Sequence, residues 1–403
     1  MWAKVAQRPL FNLGFRIFFL SSAASAVLFM VWWLLAYSFH WALPVGALRL
    51  PQYWHGHEML FGFAVAVVAG FLLTAVQNWT AVPMPAGGRL LALWLPWLGA
   101  RFVFFFVPGQ AALGGLLDFS FATALNLAVI NACRQKEGQL KRQAGIIAKL
   151  SLLMVANLLF LWGLTRASVL ATSLYFGVFV IIGLVITIGR RVLPFFTRNG
   201  LMPQQVQFEP RNSENLDKWC LRAFLVFFTL ELLRPHWKVP GLDVAIALSA
   251  LATGLLNLYR LAGWWHWKVL KVPLLWSMFF SFAAMIFGFL LYGLRPWLSG
   301  IAPSLAMHSF AVGGLALMAL SMMGRVSLGH TGRNIMAPPR VLIIALFLMV
   351  ASYLLRVPAL LLWPKFSPPL IMLAQLAWLG AFGLLCYGYW AIWCSPRVDG
   401  KPG

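Results

Sequence analysis

The chain has 403 residues, of which 62% are hydrophobic and only 10% charged, with a formal net charge of +22. Soluble domains carry about a quarter charged residues, so this composition excludes an ordinary soluble protein and implies a multi-pass membrane protein in a lipid bilayer. The basic excess, which would suggest nucleic acid in a soluble chain, belongs here to loops that fix helices against the membrane, and no nucleic-acid partner is expected.

Lys4, Arg8 and Arg16 precede an apolar run that continues to Tyr37 with no convincing small-residue cleavage site, so it reads as a retained first helix. Apolar stretches then predict twelve spans, at about 15–37, 56–77, 89–107, 111–132, 146–164, 169–189, 219–235, 241–260, 270–293, 303–323, 340–360 and 369–393. The expected fold is all-α, a polytopic membrane helix bundle forming one integral domain over residues 1–403. Loops are short; the longest, about 190–218, separates six spans from six, a layout resembling two-bundle secondary transporters.

With the N-terminus inside, 23 of the Lys and Arg residues fall on the inner side and 8 on the outer side or in outer halves. That bias places both termini in the cytoplasm, and the localisation expected is an inner (cytoplasmic) membrane. Cys133, Cys220, Cys386 and Cys394 then lie near inner ends, where a reducing compartment disfavours disulfides.

The densest chemistry stands at the mouth of the second span, Tyr53-Trp54-His55-Gly56-His57-Glu58-Met59. Two imidazoles, a carboxylate and a thioether at the edge of a hydrocarbon layer are costly to hold without a task. Imidazole with thioether suits haem iron or copper better than magnesium or calcium. On a helix, residues two apart diverge by about 200°, so His55 and His57 cannot face one centre if both are helical. Either His55 precedes the helix and both bind one metal, or the two serve different centres. The bland reading of an outer-edge histidine, an interfacial polar residue, is preferred for His40 and His236. For His308, beside Met307, the two readings balance, and the pair His55 and His57 with Glu58 favours function.

Topology puts Glu58, Asp118, Glu231 and Asp243 toward the outer side, and Arg101 about six residues, roughly 9 Å, from the outer end of the third span. A polar centre in the outer half of the membrane is therefore expected. His330 falls on the inner side, within Arg325-Val326-Ser327-Leu328-Gly329-His330-Thr331-Gly332-Arg333, a loop that looks like an anion-binding turn but is equally a solvated basic loop.

Taken together, Gly14 to Leu20, His55 to Gly62, Ala69 to Thr80, Gly189 to Asn199, His308 to Gly313 and Arg325 to Arg333 resemble the NnrS family of haem- and copper-containing bacterial membrane proteins. The resemblance implies haem b and copper, a role in nitric oxide metabolism or nitrosative-stress protection, and nitric oxide as the small gaseous partner. An electron donor, a quinol or a small redox protein, would be needed for turnover. It also implies cofactor ligands among His55, His57, His308 and His330, with Arg101 nearby; His55, His57 and His308 are the metal candidates and Glu58 the catalytic one. The nearest enzyme rival, a haem-copper oxidase or related nitric oxide reductase subunit, needs paired histidines that this chain lacks. The alternative is a proton-coupled secondary transporter using Glu58, Asp118, Glu231 and Asp243.

Overall fold

The computed structural model describes residues 2–42, 51–107, 109–235, 237 and 239–401. His236, named above, lies outside these residues. Long helices account for most of the described chain, and no strand occurs among the described residues. In chain order they are α1 (Gly14–Ser38), α2 (Pro51–Thr80), α3 (Gly88–Phe106), α4 (Ala111–Arg134), α5 (Gln139–Gly163) and α6 (Ala167–Leu201). They continue with α7 (Glu214–Leu233), α8 (Leu242–Trp264), α9 (Pro273–Leu294), α10 (Pro303–His330), α11 (Arg340–Leu362) and α12 (Pro364–Cys394).

Each expected span coincides with one of these helices. Among the described residues, 11 helices are long and apolar enough to cross a membrane. The helix outside that set is α7, at the expected span 219–235, which carries Glu214, Asp217, Lys218 and Arg222 in its first half and Glu231 near its end. Its start is well defined all the same. The Ser213 hydroxyl accepts from the Leu216 N–H at 3.3 Å, and Glu214 and Asp217 sit in the first turn, where the helix dipole favours negative charge.

The structure departs from the expected loop at 190–218, because α6 stays helical to Leu201. Hydropathy ends near Gly189, but a helix does not need an apolar surface once it leaves the bilayer. Pro194 is tolerated inside this stretch, and the Thr197 hydroxyl donates to the Leu193 carbonyl at 2.8 Å.

The chain forms two compact units. The first contains residues 1–181, 323–335 and 382–403; the second contains 182–322 and 336–381. In the first, α1 lies close on α2: a Cβ at Gly70 would come within 2.7 Å of the Phe19 ring, so only glycine permits that approach. Phe18 meets Phe121 of α4 at 5.5 Å, and Asn126 of α4 donates to Ser151 of α5 at 2.8 Å. One end of this unit is tied by Arg16, which is fully buried and donates through Nη1 to the carbonyls of Ile392 (3.1 Å), Trp393 (3.0 Å) and Ser395 (2.7 Å). The start of α1 and the end of α12 therefore share a side. In the second unit, Ser281 of α9 donates to the Gly314 carbonyl at 2.5 Å, Ser309 donates to the Ala284 carbonyl at 2.8 Å, and Arg260 joins Asp217 at 3.2 Å.

Each unit contains one widened helical segment, Glu58–Ala64 in α2 and Ser309–Ala316 in α10, where bonds run from i to i+5. His57 and His308 immediately precede these segments. Such π-turns are rare and concentrate at functional sites, since they re-aim side chains away from the regular helical spacing.

Candidate functional site

Three helices of the first unit bring four ionisable groups into a closed ring. His57 Nδ1 lies 2.9 Å from Glu58 Oε1, and Glu58 Oε2 lies 3.3 Å from Arg101 Nη1. Arg101 Nη2 donates to Asp118 Oδ2, which in turn lies 3.5 Å from His57 Nε2. The exposures are 0%, 0%, 6% and 3% for His57, Glu58, Arg101 and Asp118, so water does not screen the ring from outside. Two carboxylates face one guanidinium; with His57 neutral the ring carries one negative charge in excess. A buried excess charge is expensive, and a proton or another cation offsets it most cheaply.

Local sequence explains the placement. Trp97, Arg101 and Phe104 recur at helical spacing on one face of α3, and the Arg101 guanidinium lies 5.9 Å from the Trp97 ring and 5.7 Å from the Phe104 ring. Trp97 donates from its indole to the Gly62 carbonyl at 3.1 Å, anchoring α3 to the widened turn of α2. Gly62 is needed for that approach: a Cβ there would come within 2.6 Å of Arg101 Nη1, 2.7 Å of Phe29 and 3.1 Å of Glu58 Oε2. His57 is enclosed by Phe61 (5.0 Å), Phe104 (4.3 Å) and Phe160 (4.1 Å).

The other candidates stand elsewhere. His55 is half-buried and stacks on Trp33 at 4.3 Å with the rings 13° apart. Both it and His57 belong to the helical stretch Pro51–His57, so the two imidazoles do not face one point. His330 packs on Phe15 at 5.9 Å. Phe15 and Trp33 are 18 residues apart on α1, about 27 Å at helical rise, so His330 and His55 lie at opposite ends of the unit. His308 belongs to the second unit, with Nδ1 2.7 Å from the Ser304 carbonyl and Arg356 Nη2 at 3.2 Å. Glu231, also in the second unit, is buried and pairs with Arg234 at 3.2 Å, whereas Asp243 is exposed at the start of α8.

Among the described residues no three His, Cys, Asp or Glu side chains are grouped to hold a metal ion. The donor chemistry at His57 nonetheless admits a single ion. Its Nε2 is buried without a hydrogen-bond partner, and a nitrogen and an oxygen 3.5 Å apart can share one ion at the roughly 2.0–2.2 Å such bonds take. A flat macrocycle does not fit there as the side chains stand: three aromatic rings close around the imidazole and the Asp118 carboxylate occupies the space beyond Nε2. Asp118 and the aromatic cage of Phe104 and Phe160 are the parts that sequence reasoning underweighted. The face Trp97, Arg101, Phe104 was readable from spacing; the approach of α4 and α5 was not.

The chain matches the family described as NnrS protein over residues 9–397, nearly its whole length, and belongs to that family. No curated protein matches it.

Proposed function

We propose that this NnrS-family protein, a multi-pass membrane protein of the nitric oxide response, binds or reduces nitric oxide at a metal centre built on His57 in the outer half of the membrane. The single observation that carries the reading is the closed ring of His57, Glu58, Arg101 and Asp118, buried where ionisable groups are rarely kept without a task. Copper and haem b both rest on the family resemblance; an imidazole beside a carboxylate is compatible with copper, and His55, His308 and His330 are candidate haem ligands. A bound metal would supply the one-electron chemistry that nitric oxide requires.

The protein's own part is electrostatic. Glu58 orients the imidazole through Nδ1, fixing which nitrogen is available at Nε2. Arg101 holds both carboxylates in place, and the phenylalanines exclude water. Reduction of nitric oxide to nitrous oxide consumes protons as well as electrons, and Asp118, 3.5 Å from Nε2, is placed to hold one there, with Glu58 on the Nδ1 side of the ring. The electrons would come from a quinol or a small redox protein.

The test is metal analysis with a pyridine haemochrome assay on purified protein, followed by nitric oxide consumption at an electrode with a reductant supplied. Copper or haem together with consumption or spectral binding supports the reading. Protein that remains colourless and metal-free after expression with both supplied, yet moves protons in vesicles, supports the transporter alternative. The excess negative charge of the same ring favours that second reading specifically, since a membrane carboxylate that exchanges a proton is what coupling needs.

A further inference from the structure

At the end of the first unit opposite His55, cationic groups collect with too few acids to balance them. The loop that follows α10 turns at Gly332, with φ of +77°, and a Cβ there would come within 2.8 Å of the Asp399 carboxyl carbon. The turn is pinned by the Thr331 hydroxyl donating to the Ser327 carbonyl at 2.6 Å and by the Arg333 N–H donating to the Leu328 carbonyl at 2.9 Å. Arg397 closes the loop from the other side, donating to the His330 carbonyl at 2.9 Å.

Three guanidinium groups meet one carboxylate here. Asp399 is fully engaged by Arg397, through Nε at 2.9 Å and Nη2 at 2.5 Å, and this pairing holds its carboxyl well below the usual carboxylate range. Arg16 spends its Nη1 on the three carbonyls of the last helix. Arg333 has no acid within salt-bridge distance among the described residues, and its Nη1 is buried without a hydrogen-bond partner. The Tyr389 hydroxyl, on a side chain that is 0% exposed, likewise has no partner. The elements that carry these groups are tied together: Trp393, whose ring lies 5.8 Å from that of Tyr389, donates from its indole to the Ser327 hydroxyl at 2.8 Å, its carbonyl accepts from Arg16, and the Val398 N–H donates to the Thr331 carbonyl at 3.2 Å. A buried hydroxyl and a buried guanidinium nitrogen left without partners each destabilise the fold, and a second guanidinium nearby adds repulsion.

We propose that Arg333 and Tyr389, with Arg16 and Arg397 behind them, form a binding site for a phosphate-class oxyanion. The ligand accepts from Arg333 Nη1 and the Tyr389 hydroxyl, two donors the protein itself leaves unsatisfied, and it balances the local excess of guanidinium charge. Guanidinium and phenol together suit a tetrahedral anion with several acceptor oxygens. Free phosphate and the phosphate of an anionic lipid headgroup share that chemistry. It is independent of the reading at His57, and its test requires no nitric oxide chemistry.

The experiment measures thermal unfolding of delipidated protein in mild detergent against inorganic phosphate at constant ionic strength. Retention of phosphatidylglycerol from anionic nanodiscs is followed in parallel by native mass spectrometry. The wild type should either gain in unfolding temperature with phosphate or retain a lipid that phosphate does not displace; the first result assigns the site to the free anion and the second to the headgroup. Tyr389→Phe should weaken either signal at least tenfold, and Arg333→Gln should do the same. Tyr389→Phe is decisive because it removes a hydroxyl without a partner. If that hydroxyl were only a packing defect, the variant would be as stable as the wild type or more so, with an unaltered ligand response. That outcome, or a wild type that shows neither phosphate response nor retained lipid, would overturn the proposal.

Discussion

Arg101→Leu isolates the electrostatics of the buried ring. The substitution keeps an apolar side chain against Trp97 and Phe104 but removes the only guanidinium between Glu58, at 3.3 Å, and Asp118. Both carboxylates are at most 3% exposed, so water does not replace the lost partner. Removing one member of a buried ion pair costs about 3–5 kcal/mol, because the remaining charge is left uncompensated. Proton uptake caps the penalty. Neutralising a carboxylate of ordinary pKa at neutral pH costs roughly 4 kcal/mol, so the variant protonates rather than pay more. On a scale of about 2.1 cal/mol/K per residue, 403 residues unfolding together have an entropy near 0.85 kcal/mol/K, so the capped loss is roughly 4–5 °C in unfolding midpoint. The assay is thermal unfolding in detergent, run beside the triple variant Arg101→Leu/Glu58→Gln/Asp118→Asn, which removes the orphaned charges and should recover most of the loss. An Arg101→Leu protein as stable as the wild type would refute the ring, and a triple variant less stable than the single one would refute its charge accounting.

His57→Ala should abolish one metal or spectral signal while the protein stays folded and membrane-inserted; full cofactor content and unaltered nitric oxide handling would make His57 a packing residue. Glu58→Gln keeps the shape and one acceptor toward His57 Nδ1, so metal content should survive while proton-consuming turnover falls, measured by nitric oxide consumption. Gly62→Ala should destabilise by about 1–3 kcal/mol and disturb the Arg101 pairings, since its methyl group meets Arg101 and Phe29; an unchanged unfolding midpoint would contradict the packing. A reporter fused after Arg198 should give a cytoplasmic signal and one near Pro364 an external one; the reverse would move the ring to the inner half of the membrane.

The helices were legible because hydropathy and helix length are both imposed by the bilayer. The widened turns were not. Beyond their first residues, Glu58 and Ser309, the segments Glu58–Ala64 and Ser309–Ala316 are wholly apolar, and a run with no polar face has no periodicity from which to read 3.6 residues per turn or more. The same blindness hid the cage around His57, since Phe104 and Phe160 look like any other bilayer-facing phenylalanine until their helices are placed. Glu58 and Arg101 were visible as charges in the wrong solvent. The partnership of Asp118 with Arg101 is a contact between helices, and no spacing within one helix encodes it. The helical extension to Leu201 escaped because hydropathy marks where the bilayer ends and not where a helix does.

The clasp of Arg16 on the last helix has a bearing on how the protein is made. Its carbonyl partners lie 376 to 379 residues downstream, so at 5–20 residues per second they are synthesised roughly 20–75 s after it. Throughout that interval the guanidinium must wait at the membrane edge among headgroups and water, and the first unit stays open while the segments of the second are inserted. Arrival of the end of α12 is thus registered at the start of α1. A ribosome that stops before Ile392 leaves the Arg16 cation without these three carbonyls. Such a product would expose its fault at the N-terminal side, where a membrane protease or chaperone could sense an error made at the other end of the polypeptide.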